Sequence, residues 1–297
     1  MSRDRVVYAE SQMRDTLIDM WQVCFEEQPA PVCYFFDTYF EPQNCLVYEV
    51  NGKPVAMAHL LPAQIIYNNS LVQAHYIYAA ATSPEHRSKG YMRALLNQAA
   101  ELGAARGDMY SFLLPSQSDL YRYYGQLGYV PYFQTKFVTL SSGELRALAV
   151  DGQTSTIVFS HQQVESARNA HIGSAEGSVI WSERAISYAV GLSALYGGSL
   201  IYSQTGDQFA YALCSATDGE NCTVVEIMAD ESTIADLLAT ILHQVPAQTY
   251  RLRLPGFSNL FAQQGQVSTH GMIKPLLHND GLVTTKSGMP YLGLTLD

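Results

Sequence analysis

The sequence predicts an α/β protein with α+β-type mixed sheets, built as two tandem domains. Three observations carry that prediction. Stretches whose apolar residues recur at helical spacing are interleaved with short apolar runs bounded by turn residues, the alternation that produces layered helix-and-sheet architectures. A similar order of hairpin, helix and strand begins again past the middle of the chain. The length, 297 residues with 47% hydrophobic content, supplies apolar side chains for two cores.

Met13, Leu17, Met20, Trp21 and Cys24 mark one face of a helix over residues 11–25, and an aromatic-rich helix follows over 32–40. Asn51-Gly52-Lys53 then separates apolar runs at 46–50 and 55–61, and Asn-Gly between two such runs signals a hairpin. An apolar strand over 74–81 ends at Ser83-Pro84, and Met92, Leu95, Leu96, Ala99 and Leu102 give residues 91–106 helical periodicity. A strand over 109–114, a short helix over 120–127 and a closing strand over 130–140 complete a first domain, 1–140. The polar stretch from Ser141-Ser142-Gly143 to Asp151-Gly152-Gln153 reads as the junction. In the second domain, 141–297, strands over 209–216 and 222–228 flank Asp218-Gly219-Glu220, a helix covers 234–245, and a strand over 250–254 ends at Pro255-Gly256.

Composition narrows the function classes. A net charge of -10 gives no Lys/Arg face for phosphate backbones, so no nucleic-acid partner is expected. No apolar run approaches the roughly 20 residues that cross a bilayer, and no apolar stretch follows the first charges, so no membrane partner and a cytoplasmic location are expected. The five cysteines show neither a CxxC pair nor ligand spacing, and the eight histidines form no HxxxH or HExxH pattern. Structural thiols and no metal are therefore expected.

The segment Ala81-Thr82-Ser83-Pro84-Glu85-His86-Arg87-Ser88-Lys89-Gly90-Tyr91-Met92-Arg93 places a basic, glycine-containing turn between a strand and the start of a helix. Free amides at a helix N-terminus carry the positive end of its dipole, and Gly90 removes a Cβ from the approach of an anion. Arg87, Lys89 and Arg93 add charge. This segment resembles the acyl-CoA signature of GNAT acetyltransferases, R/Q-x-x-G-x-G/A, read as Arg87-x-x-Gly90-x-Met92. Met92 stands where a small residue is usual. The resemblance implies an acetyl-CoA cosubstrate, with Arg87, Ser88, Lys89, Gly90, Tyr91 and Met92 around its pyrophosphate and the backbone of Ala81 and Thr82 along its pantetheine arm.

Downstream, Tyr124-Gly125-Gln126-Leu127-Gly128-Tyr129 is similar to the family's Y-x-x-x-G-F/Y element. The resemblance gives Tyr124 the role of general acid for the departing thiolate, and a phenol with a pKa of about 10 is protonated at neutral pH. Tyr121 competes for the same role, while Tyr123 reads as packing. A base is not marked, because strand residues 76–81 contain no acid. Glu26, Glu27, Asp37, Glu41 and His75 remain open as substrate-side residues, with Glu26 and Asp37 taken as the substrate-binding pair.

The whole chain resembles the Eis-like (enhanced intracellular survival) branch, in which a functional GNAT domain precedes a second GNAT-like one. At 297 residues the chain is expected to be too short for that branch's full sterol-carrier-like domain. The branch implies that a terminal carboxylate, here Asp297, enters the active site as base. It also leaves the second domain without a CoA motif, since Ala229-Asp230-Glu231-Ser232 puts acids where pyrophosphate needs amides and cations. That domain is expected to shape the substrate pocket or make subunit contacts in a homo-oligomer. The expected function is transfer of an acetyl group to a primary amine, a small cationic amine, aminoglycoside-like, polyamine or lysine, by direct attack in a ternary complex. The alternative is a catalytically silent acyl-CoA-binding or sensory module.

Overall fold

The computed structural model of the chain describes residues 4–149, 151–277, 281 and 288–294. Two compact units divide it: Met1–Tyr132 with Gly271–Lys286, and Phe133–His270 with Ser287–Asp297. Each unit takes a segment from the far side of the other's sequence.

The first unit opens with β1 (Arg5–Tyr8), α1 (Arg14–Phe25), α2 (Pro29–Thr38) and β2 (Cys45–Val50). A long hairpin follows, β3 (Lys53–Tyr67) and β4 (Ser70–Thr82). Both of its turn residues, Asn68 and Asn69, have positive φ (50° and 57°), the conformation that matches the twist of paired strands. Then come α3 (Tyr91–Ala105), β5 (Tyr110–Leu113), α4 (Ser118–Gly125) and β6 (Val130–Pro131).

The chain next builds the second unit with β7 (Gln134–Ser141), α5 (Ser142–Leu148), α6 (His161–Ile172), β8 (Val179–Ile180), α7 (Glu183–Leu195), β9 (Ser199–Thr205), β10 (Gln208–Cys214), β11 (Asn221–Met228), α8 (Ile234–Gln244), β12 (Thr249–Pro255) and β13 (Gln266–Thr269). It then returns β14 (Met272–Pro275) to the first unit, between β5 and β6. The first sheet runs β1-β2-β3-β4-β5-β14-β6, and the second β13-β7-β12-β11-β10-β9. Both are mixed: β4 with β5 and β11 with β12 are parallel, each pair joined through a helix.

Side-chain alternation gives the first sheet two different faces. Leu46, Ala56, Leu60 and Ile77 meet Leu95, Leu96 and Ala99 of α3. On the opposite face Trp21 packs against Phe35 at 5.0 Å and Tyr78 at 5.4 Å between ring centroids, so α1 and α2 cover the strands with aromatic rings. In the second unit, Leu145 of α5 and Leu237, Leu238 and Ile241 of α8 close over Val138, Ala210, Val224 and Leu252. No helix among the described residues is long and apolar enough to cross a membrane.

Candidate active site

The first unit's central strands are interrupted at one place. Ala56 pairs with Thr82 and Met57 with Ala81, but His59 pairs with Tyr78, so Ala79 and Ala80 together face Ala58. This is a β-bulge, and Ala79 holds a φ of 45°, a conformation that costs a non-glycine residue about 1–3 kcal/mol and persists where its surroundings enforce it. On the other edge of β4, parallel pairing covers only Ala74–Tyr76 against Tyr110–Phe112. Beyond Tyr76 the register with β5 stops, one residue before β5 ends at Leu113, so β4 runs on past its parallel partner through the bulge to Thr82. The carboxyl end of such a parallel pair is the usual place for a ligand in α/β sheets.

At the end of β4 the chain makes a single 3-10 turn, Pro84–His86, and enters α3. Ser88 and Gly90 both have positive φ, 61° and 83°, and such alternation turns successive amides inward as an anion-binding concavity. Gly90 is the N-cap of α3, which has no side-chain cap, whereas Ser141, Ser160 and Ser182 cap α5, α6 and α7 with their hydroxyls. A Cβ on Gly90 would meet nothing within 4 Å. Glycine is therefore required here by the backbone conformation, and the space before the helix is open.

The sequence-expected residues of this turn fall into place unevenly. Arg87, Ser88 and Lys89 are exposed, with Arg87 Nε donating to the Thr82 carbonyl at 3.2 Å. Cys24 Sγ donates to the same carbonyl at 3.3 Å, so Thr82 has little acceptor capacity left. Tyr91 stacks on Tyr48, 4.5 Å between centroids. Met92 packs against the core beneath α3, which explains why a large side chain is tolerated at a position where the turn itself needs only backbone.

α4 and the residues after it show why the Tyr124 spacing matters. Gly128, with φ 88°, lets the chain reverse, and the Tyr129 amide returns to the Tyr124 carbonyl at 3.2 Å. The Tyr129 ring then lies edge-on to Tyr124 at 5.9 Å, and its hydroxyl is 2.7 Å from Ser111 Oγ. Burial, reinforced by neighbouring Tyr123, pushes the Tyr124 phenol up to about 12, so it stays protonated across the neutral range. Tyr121 differs, because its hydroxyl accepts the Gly271 amide at 3.3 Å beside β14.

The possible substrate-side groups are dispersed. Glu26 is exposed at the left-handed end of α1, and Asp37 pairs with Arg14. Glu41 accepts Gln43 and Asn44 at 3.1 and 2.9 Å. His75 is buried, 2.7 Å from Asp108, which also takes Arg106. Its ring fills the place a Cβ on Gly103 would need, 2.5 Å away, so His75 is a packed, partnered group. Asp297 lies outside the described residues.

Sequence reasoning missed His59. It is 1% exposed on β3, with centroid distances of 4.9 Å to Phe35, 5.7 Å to Trp21 and 5.9 Å to Phe40. Nδ1 lies 3.3 Å from the Tyr78 carbonyl, an acceptor, which assigns the proton to Nδ1. The alternation of β3 in a run of apolar residues was the available signal. Burial pushes this imidazole down to about 4. The unfolded chain protonates it near 6.5, so between those values the unfolded state holds more protons. The stability His59 contributes is present above about pH 6.5 and is lost as pH falls toward 4, about 3 kcal/mol in all. Urea titrations at several pH values should give a steeper acid loss for the wild type than for His59→Leu; parallel slopes would refute the assignment.

The second unit's corresponding turn is closed by its own acid. The Asp230 carboxylate accepts the amides of Ser232 and Thr233 at 2.9 and 3.1 Å and the hydroxyl of Ser232 at 2.6 Å. Burial opposes its ionisation, but these bonds outweigh it and hold its pKa below the ordinary value. An internal carboxylate thus takes the amides at the entry to α8 that a phosphate would require.

Residues 5–131 match the family model of the acetyltransferase (GNAT) domain. That segment contains the bulge, the turn and Tyr124. Across most of the chain, the fold is similar to solved structures. A conserved Enterococcus faecalis protein described as a probable N-acyltransferase is 14% identical, with 93% of this chain and 73% of that one covered and a TM-score of 0.74. A GCN5-related N-acetyltransferase from Kribbella flavida is 20% identical, with 92% and 71% covered and a TM-score of 0.70. Eis1 from Mycobacterium abscessus is 12% identical, with 92% and 74% covered and a TM-score of 0.67. At these identities the likeness concerns the fold. No curated protein matches the chain in sequence.

Proposed function

We propose that the chain is an N-acetyltransferase that moves an acetyl group from acetyl-CoA to a primary amine, in the manner of the Eis-like branch. The observation that carries the reading is the bulged β4, which outruns its parallel pairing with β5 and leads into a capless α3 through left-handed Ser88 and Gly90. The residues fit the cosubstrate. Amides from Ser88 to Met92 would hold the pyrophosphate, with Arg87 and Lys89 supplying charge, while the backbone of Ala81 and the amide side of Thr82 would align the pantetheine arm. The domain boundaries at 140/141 matter less to this reading than the continuity of residues 5–131.

The acceptor nitrogen attacks the thioester carbonyl carbon directly. A C–N bond forms, the C–S bond breaks, and the departing thiolate takes the Tyr124 proton, which solvent restores. The proton lost by the amine passes to a base, for which Asp297 is the candidate. Orientation of two bound reactants supplies much of the acceleration. Glu26 is the exposed carboxylate best suited to attract a cationic amine, whether aminoglycoside-like, a polyamine or a lysine side chain; Asp37 would first have to leave Arg14. A cytoplasmic location and homo-oligomer contacts through the second unit accompany this reading.

Incubation with acetyl-CoA, a panel of amines and a thiol reagent tests it: thiol release should depend on the amine, and CoA binding without such release would overturn the enzyme reading. Gly90→Ala tests the cofactor turn. Holding alanine at a φ of 83° costs about 1–2 kcal/mol, so the KM for acetyl-CoA should rise about tenfold with little change in kcat. An unchanged KM would remove the turn from the binding site.

A further inference from the structure

The second unit contains two adjoining cavities that acyl transfer does not use. One, about 290 Å³, lies at the carboxyl ends of β11 and β12, between Ile227–Glu231 and the loop from Phe257 to Leu260. The other, about 550 Å³, lies between α6 and the β9–β10 turn, where Asp207, Gln208 and Phe209 face it. His171 and Asp230 line both. β11 and β12 pair in parallel through Asn221–Val224 and Thr249–Leu252, and their register ends there. The site therefore occupies the position where parallel strands part, the usual place for a ligand in such sheets, and the larger cavity falls in the size range of small-molecule pockets.

The lining selects the ligand's charge. Asp207, Asp230 and Glu231 contribute carboxylates, and neither lining includes Lys or Arg. Phosphate is excluded because Asp230 already holds the Ser232 and Thr233 amides. His171 Nδ1 lies 2.9 Å from the Ala167 carbonyl, so it carries the proton and leaves Nε2 with a bare lone pair; that atom is buried and has no partner. The ionic and imidazole groups are all acceptors, complementary to a donor-rich cation. Among the described residues no three His, Cys, Asp or Glu side chains are grouped to hold a metal ion, whereas Phe209, Met228, Phe257 and Leu260 offer apolar walls.

We infer that these cavities bind an organic ammonium with an aliphatic body, a linear diamine or polyamine. The inference stands apart from the acyl-transfer reading, since none of its residues lies in the first unit.

Spermidine is a suitable probe. Calorimetric titration of the full chain at physiological salt, without acetyl-CoA, should show binding that survives Tyr124→Phe and weakens at least tenfold in Asp207→Asn/Glu231→Gln. In the wild type the His171 Nε2 nitrogen resonance should move on titration. Both substituted side chains are exposed, so the double variant should keep the wild-type melting temperature and amine-dependent CoA release. Absence of spermidine binding would overturn the inference. So would equal binding by the double variant, or an equal response to magnesium chloride at matched ionic strength.

Discussion

Tyr124→Phe is expected to lower kcat by about 10²–10³-fold, the usual contribution of a positioned proton donor, while acetyl-CoA affinity stays near wild type. The substitution removes one hydroxyl and keeps the ring that lies between Tyr123 and Tyr129 at 5.3 and 5.9 Å, so packing is preserved and the loss reports on the oxygen. Burial raises the phenol to about 12. An acid must be protonated to act, and activity dependent on Tyr124 would be lost only as pH rises through that value. Any alkaline limb seen below pH 10 must then come from another group. A thiolate of ordinary basicity, about 8.5, would be too weak a base to take this proton in water; the same desolvation that raises the phenol must also raise the thiolate. Tyr121→Phe provides the contrast. Its hydroxyl accepts the Gly271 amide, so the cost should be about 1 kcal/mol of stability with kcat little altered. Single-turnover rates and acetyl-CoA titrations of both variants decide the matter, and a fully active Tyr124→Phe enzyme would end the role.

The elements that were legible in the sequence are those whose signals are local. Asn51-Gly52 announced the β2–β3 hairpin, and both residues have positive φ, 53° and 76°. The turn before α3 was readable because phosphate binding needs glycine and positive charge within a few residues. The apolar run at 55–61 marks only part of β3, which continues to Tyr67 through Pro62, a residue usually excluded from strand interiors. Yet β2 pairs with β3 only as far as His59, so β2 asks Pro62 for no amide, and Asn68-Asn69 closes the longer hairpin. The bulge has no signature in the sequence, because an alanine run carries no mark of irregularity.

Longer-range choices were less accessible. The closing strand expected over 130–140 is divided, with Val130–Pro131 in the first sheet and Gln134–Ser141 in the second. The first sheet then receives Met272–Pro275, whose register with Leu113–Tyr110 joins residues far apart in sequence. A four-residue strand can be placed only by knowing which edge awaits it. Similarly, the acids after β11 were legible as hostile to phosphate, but that Asp230 itself occupies the amides depends on a turn geometry visible only in the structure.

Arg168→Ala should be the most destabilising single change in the second unit. Arg168 and Glu226 are both fully buried, with Nε 3.1 Å from Oε2. The guanidinium also donates to the carbonyls of Val179 at 2.8 Å and Leu292 at 3.2 Å, and Tyr211 donates to Glu226 at 2.6 Å. Truncation leaves a carboxylate without its counterion in a medium that cannot solvate it, a loss of about 3–5 kcal/mol. In a unit of this size that corresponds to a fall in Tm of roughly 6–20 °C. Leu292 keeps a donor in Trp181 Nε1 at 3.0 Å, so the Glu226 charge dominates the loss. Replacing the whole group, Arg168→Met with Glu226→Leu and Tyr211→Phe, removes the charge together with its partners and should recover most of the stability. That comparison separates a need for these ions from a need for filled volume. Calorimetric melting of the two variants reads it directly: a Tm within about 2 °C of wild type for Arg168→Ala would show that the pair contributes little. A triple variant no better than Arg168→Ala would instead mean that hydrogen bonds to the Val179 and Leu292 carbonyls, which no apolar side chain can replace, hold this part of the fold together.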